Sequence, residues 1–471
     1  MIRHGRESKL ERNNIVMKVL WICNIMLPAV AKHLHLPSSN KEGWLTGLAS
    51  VIQERRDENE IELAVAFPVA SFLESEPDGC SGEANLSGKS LQYYGFYEDT
   101  VHPHNYDEEL EGRLKKIMED FRPDVVHCFG TEFGHTLAAS RVCPDKDKLL
   151  IGIQGLCSVY AGAYMANLPV KVIRSVSFRD FLKKDSMLKQ QKKYVIRGQR
   201  EIEAIRNAGN ITGRTHWDAF YSKYWNESAE YFVMNETLRP DFYHDQWRQE
   251  NCDPHRIFVS QGDYPLKGLH YLLLALPAIR SKYPDVTVHV AGNSLVNYKT
   301  LKDKIKISAY GRYLRSIIRK NQLQDVVTFL GSLTAEQMKE QYLGAGLFLC
   351  CSSMENSPNS LGEAMLLGVP CVSADVGGIS SIFTDGEDGI LFRGFEKEHR
   401  YTDYDHIDHE REEKELDGIV QNLADAVIRM WSDAEACKKY CENARKHAKQ
   451  THNKEENYKR LLDIYAKIAA K

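Results

Sequence analysis

No run of about 18 apolar residues occurs in this chain, which excludes a recognisable membrane-spanning helix. The longest candidate, "LHYLLLALPAI", is short and interrupted by His270 and Pro277. The first sixteen residues are polar and of mixed charge, so they lack the apolar core of a signal peptide. Met17 directly precedes the strand-like run "KVLWICNI" and is the expected start of the folded part, leaving 1–16 as a polar tail. Charge of one sign is also missing. With 61 Lys and Arg against 65 Asp and Glu, the net charge of −4 gives no footprint for nucleic acid.

Cysteine chemistry is scarce in pattern, though not in number. The eleven cysteines are odd in count and include no C-x-x-C pair, as expected of reduced thiols in a cytoplasmic protein. "CKKYC" places Cys437 and Cys441 on one helical face, but two ligands do not make a zinc site. No Asp-x-Asp cluster stands in a metal-binding context, so no metal and no other cofactor is expected. His406 and His409 lie in the charged insertion 393–416, read as a solvated loop in which nothing fixes a coordination geometry. There is no internal repeat of about 20 to 50 residues.

What the 471 residues do contain is alternation. Short apolar runs alternate with helical patterns, which predicts parallel α/β architecture in more than one domain. The first half gives "KVLWICNI", "IELAVAF", "DVVHCFG", "LLIGIQG" and "NITGRT". The second gives "RIFVSQG", "VTVHVAG", "VVTFLG", "GLFLCCS", "PCVSA" and "GILF". A polar, aromatic connector at about 235–255 is the expected junction. The expected division is 17–235, 236–440, and a helix over 441–471 that packs back on the first domain. Residues 71–107 read as a long surface excursion. Residues 171–200 hold ten Lys or Arg and two acids, interleaved with Val172, Ile173, Val176, Phe178, Phe181, Leu182 and Leu188. Such a face either docks on anionic lipid or is simply solvated.

The stretch "CSSMENSPNSLGEAMLLGVPCVSAD" (351–375) carries the chemistry. It reads as strand, loop, helix and strand, with Ser357 as helix cap, Pro358 as first helical residue and Gly368 as the stop. The amides of Asn359, Ser360 and Leu361 then form a first helical turn suited to phosphate, with Gly362 keeping bulk away from it. Ligands of open parallel sheets bind at the carboxyl ends of the strands, where this loop lies. A carboxylate repels phosphate but accepts hydrogen bonds from sugar hydroxyls. A nucleotide sugar satisfies both requirements, with Glu355 on the sugar and Glu363 on the ribose.

The E-x7-E spacing of Glu355 and Glu363, followed by "AMLLGVPCVSADVGGI", resembles the signature of retaining glycosyltransferases of family 4. The resemblance is strong over about 255–395 and weaker over 17–235. It implies the GT-B fold, two Rossmann-like domains facing across a cleft, with the donor held by the second domain. It further implies front-face attack, in which the leaving phosphate takes the acceptor's proton.

In "VSQGDYPLKGLHYLL", Lys267 matches the family's diphosphate-binding lysine, while Gln261 stands where an arginine is usual. Gly43 in "NKEGWLTGL" matches a glycine loop near the diphosphate. Gln154 in "LLIGIQGL" replaces a histidine common near the reacting sugar, and glutamine cannot titrate near neutral pH. Arg214 in "ITGRTHWD" is expected to point into the cleft and bind phosphate, with a helix-capping or salt-bridge role as the alternative. His127 reads more readily as a packed strand-end histidine than as a site residue.

The implied activity is transfer of a sugar from a nucleotide diphosphate sugar to a glycan or lipid-linked acceptor, in cell-surface or exopolysaccharide synthesis. The implied place is the cytoplasm, at or near the inner membrane face. A nucleotide-sugar epimerase or a glucan synthase is the alternative within the same fold. A non-catalytic sugar-nucleotide-binding scaffold is the other alternative, favoured by Gln154 and Gln261 and opposed by the joint presence of Glu355, Lys267 and Glu363.

Overall fold

A computed structural model describes residues 16–37, 43–69, 79–296, 300–394 and 409–471. The tail 1–15 and most of the charged insertion, His406 included, lie outside the described residues; His409 opens the helix His409–Ser432.

All eleven apolar runs are strands. The first sheet comprises β1 (Met17–Ile22), β2 (Ile61–Val69), β3 (Cys80–Leu86), β4 (Lys89–Tyr97), β5 (Val125–Phe129), β6 (Leu149–Gly152), β7 (Asn210–Gly213) and β8 (Glu230–Val233). Its order is β3-β4-β2-β1-β5-β6-β7-β8. The second comprises β9 (Asp253–Val259), β10 (Thr287–Ala291), β11 (Val327–Gly331), β12 (Ala345–Cys350), β13 (Cys371–Asp375) and β14 (Ile390–Arg393), in the order β11-β10-β9-β12-β13-β14. Every pairing is parallel except β3 with β4. Helices cover the sheets, as two-sided burial of parallel strands requires.

In each sheet the order reverses beside the first strand, between β1 and β5 and between β9 and β12. A crevice opens at the carboxyl ends of the strands at such a reversal. The loops after β1, β5, β9 and β12 are therefore the ones placed to build a site.

The segment 71–107 is not a surface excursion throughout. Residues 79–97 form a hairpin whose second strand pairs in parallel with β2 and extends the sheet edge. Its two-residue turn is Ser87-Gly88, both at positive φ (54° and 82°), the geometry that a tight hairpin demands.

Helix Lys454–Ala469 returns to the first sheet and buries Tyr458, Leu461, Ile464, Tyr465 and Ile468 in its core. The Tyr465 hydroxyl accepts from Trp21 Nε1 at 2.8 Å and lies 2.7 Å from His127 Nδ1. His127 is thus a core residue, and burial pushes it down to about 3, so it is neutral.

Candidate active site

Lys267 lies in the loop after β9, in the turn Pro265–Lys267 that precedes helix Leu269–Lys282. Gly268 follows at φ 67°, where an added Cβ would stand 1.8 Å from the Cys351 carbonyl oxygen; only glycine fits. This close approach brings the loop after β9 against the loop after β12. Lys267 Nζ consequently reaches Glu355 Oε1 at 2.5 Å, and Ser352 Oγ donates to the same oxygen at 2.7 Å. Burial works against the Lys267 charge, but Glu355 and Tyr264 outweigh it and hold the ammonium well above its ordinary range.

Helix Asn359–Leu367 starts one residue later than the sequence suggests. Pro358 is the N-cap, with extended backbone (φ −69°, ψ 116°), and no side chain caps the helix, so Ser357 does not fill that role. The Leu361 amide donates to the Pro358 carbonyl at 3.0 Å and Leu361 is wholly buried, so Leu361 is withdrawn from the phosphate-binding turn. Asn359 and Ser360 face the cleft. Gly362 does not face it either. A Cβ there would meet His452 Nε2 at 2.6 Å and Leu238 Cδ1 at 2.9 Å, so this glycine admits the chain crossing back toward the first domain. Gly368, at φ 75°, ends the helix as expected.

Glu363 is buried and bound on both oxygens by Arg239, Nε to Oε1 at 2.7 Å and Nη2 to Oε2 at 2.8 Å. Burial opposes the Arg239 charge and the Glu363 carboxylate overcomes it. This bidentate pair was not foreseen, because Arg239 belongs to the connector and nothing in "LRPDFY" points to a partner 124 positions away. Gly43, the first residue of helix Gly43–Glu54, stands beside it; a Cβ there would lie 3.1 Å from Arg239 Cγ.

Arg214 takes the salt-bridge role, the alternative to phosphate binding. Nη1 pairs with Glu236, Nη2 donates to Gln154 Oε1 at 3.2 Å, and the side chain is 7% exposed. It does not line the cleft. Its neighbour in the chain, Thr215, instead joins the domains, donating to Asn356 Oδ1 at 2.6 Å. Asn356 Nδ2 lies 3.2 Å from the Gln154 carbonyl oxygen and 3.1 Å from Asp218 Oδ2. Asn356, adjacent to Glu355, therefore ties the loop after β12 to the first domain.

Together these elements enclose an interdomain cleft of about 620 Å³, lined by Gly43, Gln154, Gln261, Lys267, Asn359, Ser360 and Glu363 among others. That volume lies within the usual range for small-molecule sites. Glu355 reaches it through Lys267. Two cleft carboxylates were missed by the sequence reading. Asp263 Oδ1 is buried without a hydrogen-bond partner among the described residues, and Glu132 enters from the loop after β5. Among the described residues no group of three or more His, Cys, Asp or Glu is arranged to hold a metal.

Residues 243–401 match the family model described as glycosyl transferases group 1. Sucrose-phosphate synthase from Thermosynechococcus elongatus superposes with a TM-score of 0.63 at 13% identity, over 96% of this chain and 99% of that one. Anabaena HepE in complex with UDP-glucose superposes with a TM-score of 0.58 at 14% identity, over 96% of this chain and 100% of that one. The fold is GT-B. At these identities the likeness establishes architecture alone.

The GT-B chain is also similar in sequence to spore coat protein SA of Bacillus subtilis, 26% identical over 139 residues, or 29% of this chain and 35% of that protein. A D-inositol 3-phosphate glycosyltransferase of Pseudarthrobacter chlorophenolicus is 26% identical over 189 residues, 38% of this chain and 40% of that enzyme. The first three curated relatives are matched over 35%, 43% and 52% of their length. The stretch that matches glycosyl transferases group 1 thus falls in the second domain.

Proposed function

We propose that this protein is a retaining glycosyltransferase that takes a sugar from a nucleotide diphosphate sugar and places it on an acceptor hydroxyl. The observation that carries this reading is the Lys267–Glu355 pair, half-buried at the lysine and buried at the glutamate, whose lysine lines a cleft together with Asn359, Ser360 and Glu363. Lys267 and the helical turn take the diphosphate, where a fixed cation offsets the charge that develops on the leaving group. Glu355 receives a hydroxyl of the donor sugar, and Asp263 is placed to receive another. Gln261 donates to phosphate in place of a second cation. Glu363 receives the ribose hydroxyls on the lone pairs that Arg239 leaves open, since each carboxylate oxygen has two. Gln154, held by Arg214, bonds the reacting sugar without titrating.

The complex of HepE with UDP-glucose supports a uridine diphosphate sugar as the first donor to try. The acceptor is a glycan or lipid-linked glycan of cell-surface or exopolysaccharide synthesis, met in the cytoplasm at the membrane face. No metal takes part in this scheme, because Lys267 and the helix turn supply the positive charge. Activity that EDTA abolishes and Mg²⁺ restores would contradict it.

A panel of nucleotide sugars tested by thermal stabilisation, followed by NMR of the product's anomeric configuration, tests the proposal. Stabilisation by one donor and retention in the product are expected. Stabilisation without turnover on any acceptor would favour the scaffold reading that Gln154 and Gln261 suggest. Release of an isomerised free sugar would identify an epimerase, and a growing glucan a synthase.

A further inference from the structure

The loop Gly130–Glu132 is fixed on every side, yet nothing assigned so far uses it. Thr131 Oγ1 donates to Glu201 at 2.6 Å, Arg197 Nε donates to the Glu132 carbonyl at 2.9 Å, and Thr136 Oγ1 donates to the Gly130 carbonyl at 2.8 Å. Gly130 has φ +88°, and a Cβ there would stand 2.2 Å from Glu132 Oε2. The carboxylate is folded into a space that only glycine leaves free.

Behind it runs a buried polar chain. Asn24, from the loop after β1, donates through Nδ2 to Glu132 Oε2 at 3.4 Å. Asn24 Oδ1 is 3.0 Å from His135 Nε2, and His135 Nδ1 is 2.6 Å from Glu98 Oε2. His135 is fully buried and Glu98 is 5% exposed. As placed, the Asn24 amide turns its oxygen to His135 and its NH₂ to Glu132. Glu132 itself lines the cleft with Trp44 and Gln154 from the first domain, opposite Lys267, Asn359 and Ser360 from the second.

The residues given to the donor's diphosphate, Lys267, Asn359 and Ser360, stand on the second domain, and Glu132 faces them across the cleft from the first, on the side left to the other reactant. We infer that Glu132 is the acceptor-binding carboxylate: it takes the hydrogen bond of a hydroxyl on an acceptor unit that is an uncharged polyol, and Asn24, His135 and Glu98 are positioning residues that hold it. This rests on the transferase reading and adds the acceptor's class. A phosphate or carboxylate group on the reacting sugar is refused here, because a like charge beside a fixed, partly desolvated carboxylate is strongly unfavourable. The proton of the acceptor hydroxyl is shared with Glu132 and not taken by it.

The test uses the full chain saturated with UDP and measures binding of D-glucose, D-galactose, D-mannose and myo-inositol, each beside its monophosphate, by saturation-transfer NMR. At least one neutral probe is expected to bind ten times or more tightly than its phosphate. Glu132→Gln should weaken that neutral probe roughly ten- to a hundredfold, the scale of a charge-assisted hydrogen bond, and erase the discrimination. Glu132→Lys should reverse the discrimination. His135→Gln should lower it while leaving the thermal shift given by UDP unchanged, which separates positioning from general damage.

A phosphate probe that binds the wild type as well as its neutral form, silence of all neutral probes, or an unchanged ratio in Glu132→Gln would each overturn the inference. Absence of any UDP-induced shift in the wild type would instead sink the transferase reading beneath it.

Discussion

Lys267 and Glu355 depend on each other, and that dependence shapes what their replacement will show. Removing one partner of a buried pair leaves an uncompensated charge and costs about 3–5 kcal/mol. Glu355→Ala is therefore expected to lower both stability and turnover, whereas Glu355→Gln retains an acceptor for Ser352 and isolates the loss of charge. Its turnover should fall roughly ten- to a hundredfold, measured against a denaturation curve closer to the wild type's. Lys267→Met should weaken UDP far more than uridine in calorimetric titration; equal weakening would show that the lysine acts through structure. Arg239 offers a parallel case. Arg239→Leu strands the Glu363 carboxylate and should lower stability by about 3–5 kcal/mol, and adding Glu363→Leu should recover much of that loss in urea unfolding. If the single variant unfolds like the wild type, the bidentate pair is not formed in solution.

The elements carry a different lesson, about what a linear sequence can disclose. Alternating apolar runs gave away eleven strands, because strands buried on both faces are apolar throughout. Strand β3 escaped because an edge strand buries one face, and its pattern, "CSGEANL", is correspondingly weak. The Ser-Gly turn at 87–88 was its legible signal. At the site, Glu355, Glu363 and Lys267 could be found because local spacing fixes them relative to one strand and helix. Arg239 and Glu132 could not, since their contacts are with residues far along the chain, and Asp263 could not, since only the folded cleft shows its oxygen buried there. The same holds for helix Leu269–Lys282, whose His270 and Tyr271 clasp the first domain. His270 Nε2 donates to the Ala166 carbonyl at 2.7 Å, and the Tyr271 hydroxyl donates to Asn167 Oδ1 at 2.8 Å. Burial holds His270 down at about 4, below the 6.5 it takes when unfolded. The stabilisation from its neutral form is complete above pH 6.5 and is lost as pH falls toward about 4. Burial raises Glu201 to about 7, and that carboxylate acts in the opposite sense, losing its contribution as pH rises through about 7. Comparing wild type with His270→Gln removes this background. The variant's stability, from urea curves at intervals between pH 4 and pH 7, should fall less steeply on acidification than the wild type's; parallel curves would contradict the assignment.

At the scale of the whole molecule, the surface of the first domain bears on where the proposed transferase meets its acceptor. Among the described residues no helix is long and apolar enough to cross a membrane. Yet large exposed hydrophobic side chains gather in one place: Val176, Phe178, Phe181, Leu182 and Leu188, with Phe181 71% exposed. They lie on and beside the short helix Phe178–Leu182, which Ser177 and Asp180 cap reciprocally. The ten basic residues of this stretch divide in two. Arg179 and Lys193 pair with Asp185, Arg197 bonds the Glu132 carbonyl, and Arg200 stacks on Tyr106. Lys171, Arg174, Lys183, Lys184, Lys189 and Lys192 remain exposed around the apolar cluster. Six cations near an anionic surface, each contributing about 1 kcal/mol, together with inserted phenylalanines would hold the first domain at a lipid headgroup layer. That attraction is screened over about 8 Å at physiological ionic strength, so it must weaken as salt rises. The expected result is co-sedimentation with phosphatidylserine-containing vesicles at low salt, reduced at high salt. Replacing Lys183, Lys184, Lys189 and Lys192 with glutamine should abolish most of the salt-sensitive part, and Phe178→Ser with Phe181→Ser the salt-insensitive remainder. Wild-type protein that stays in the supernatant at low salt would mean that the cluster is a solvated face, and that the cleft draws its acceptor from solution.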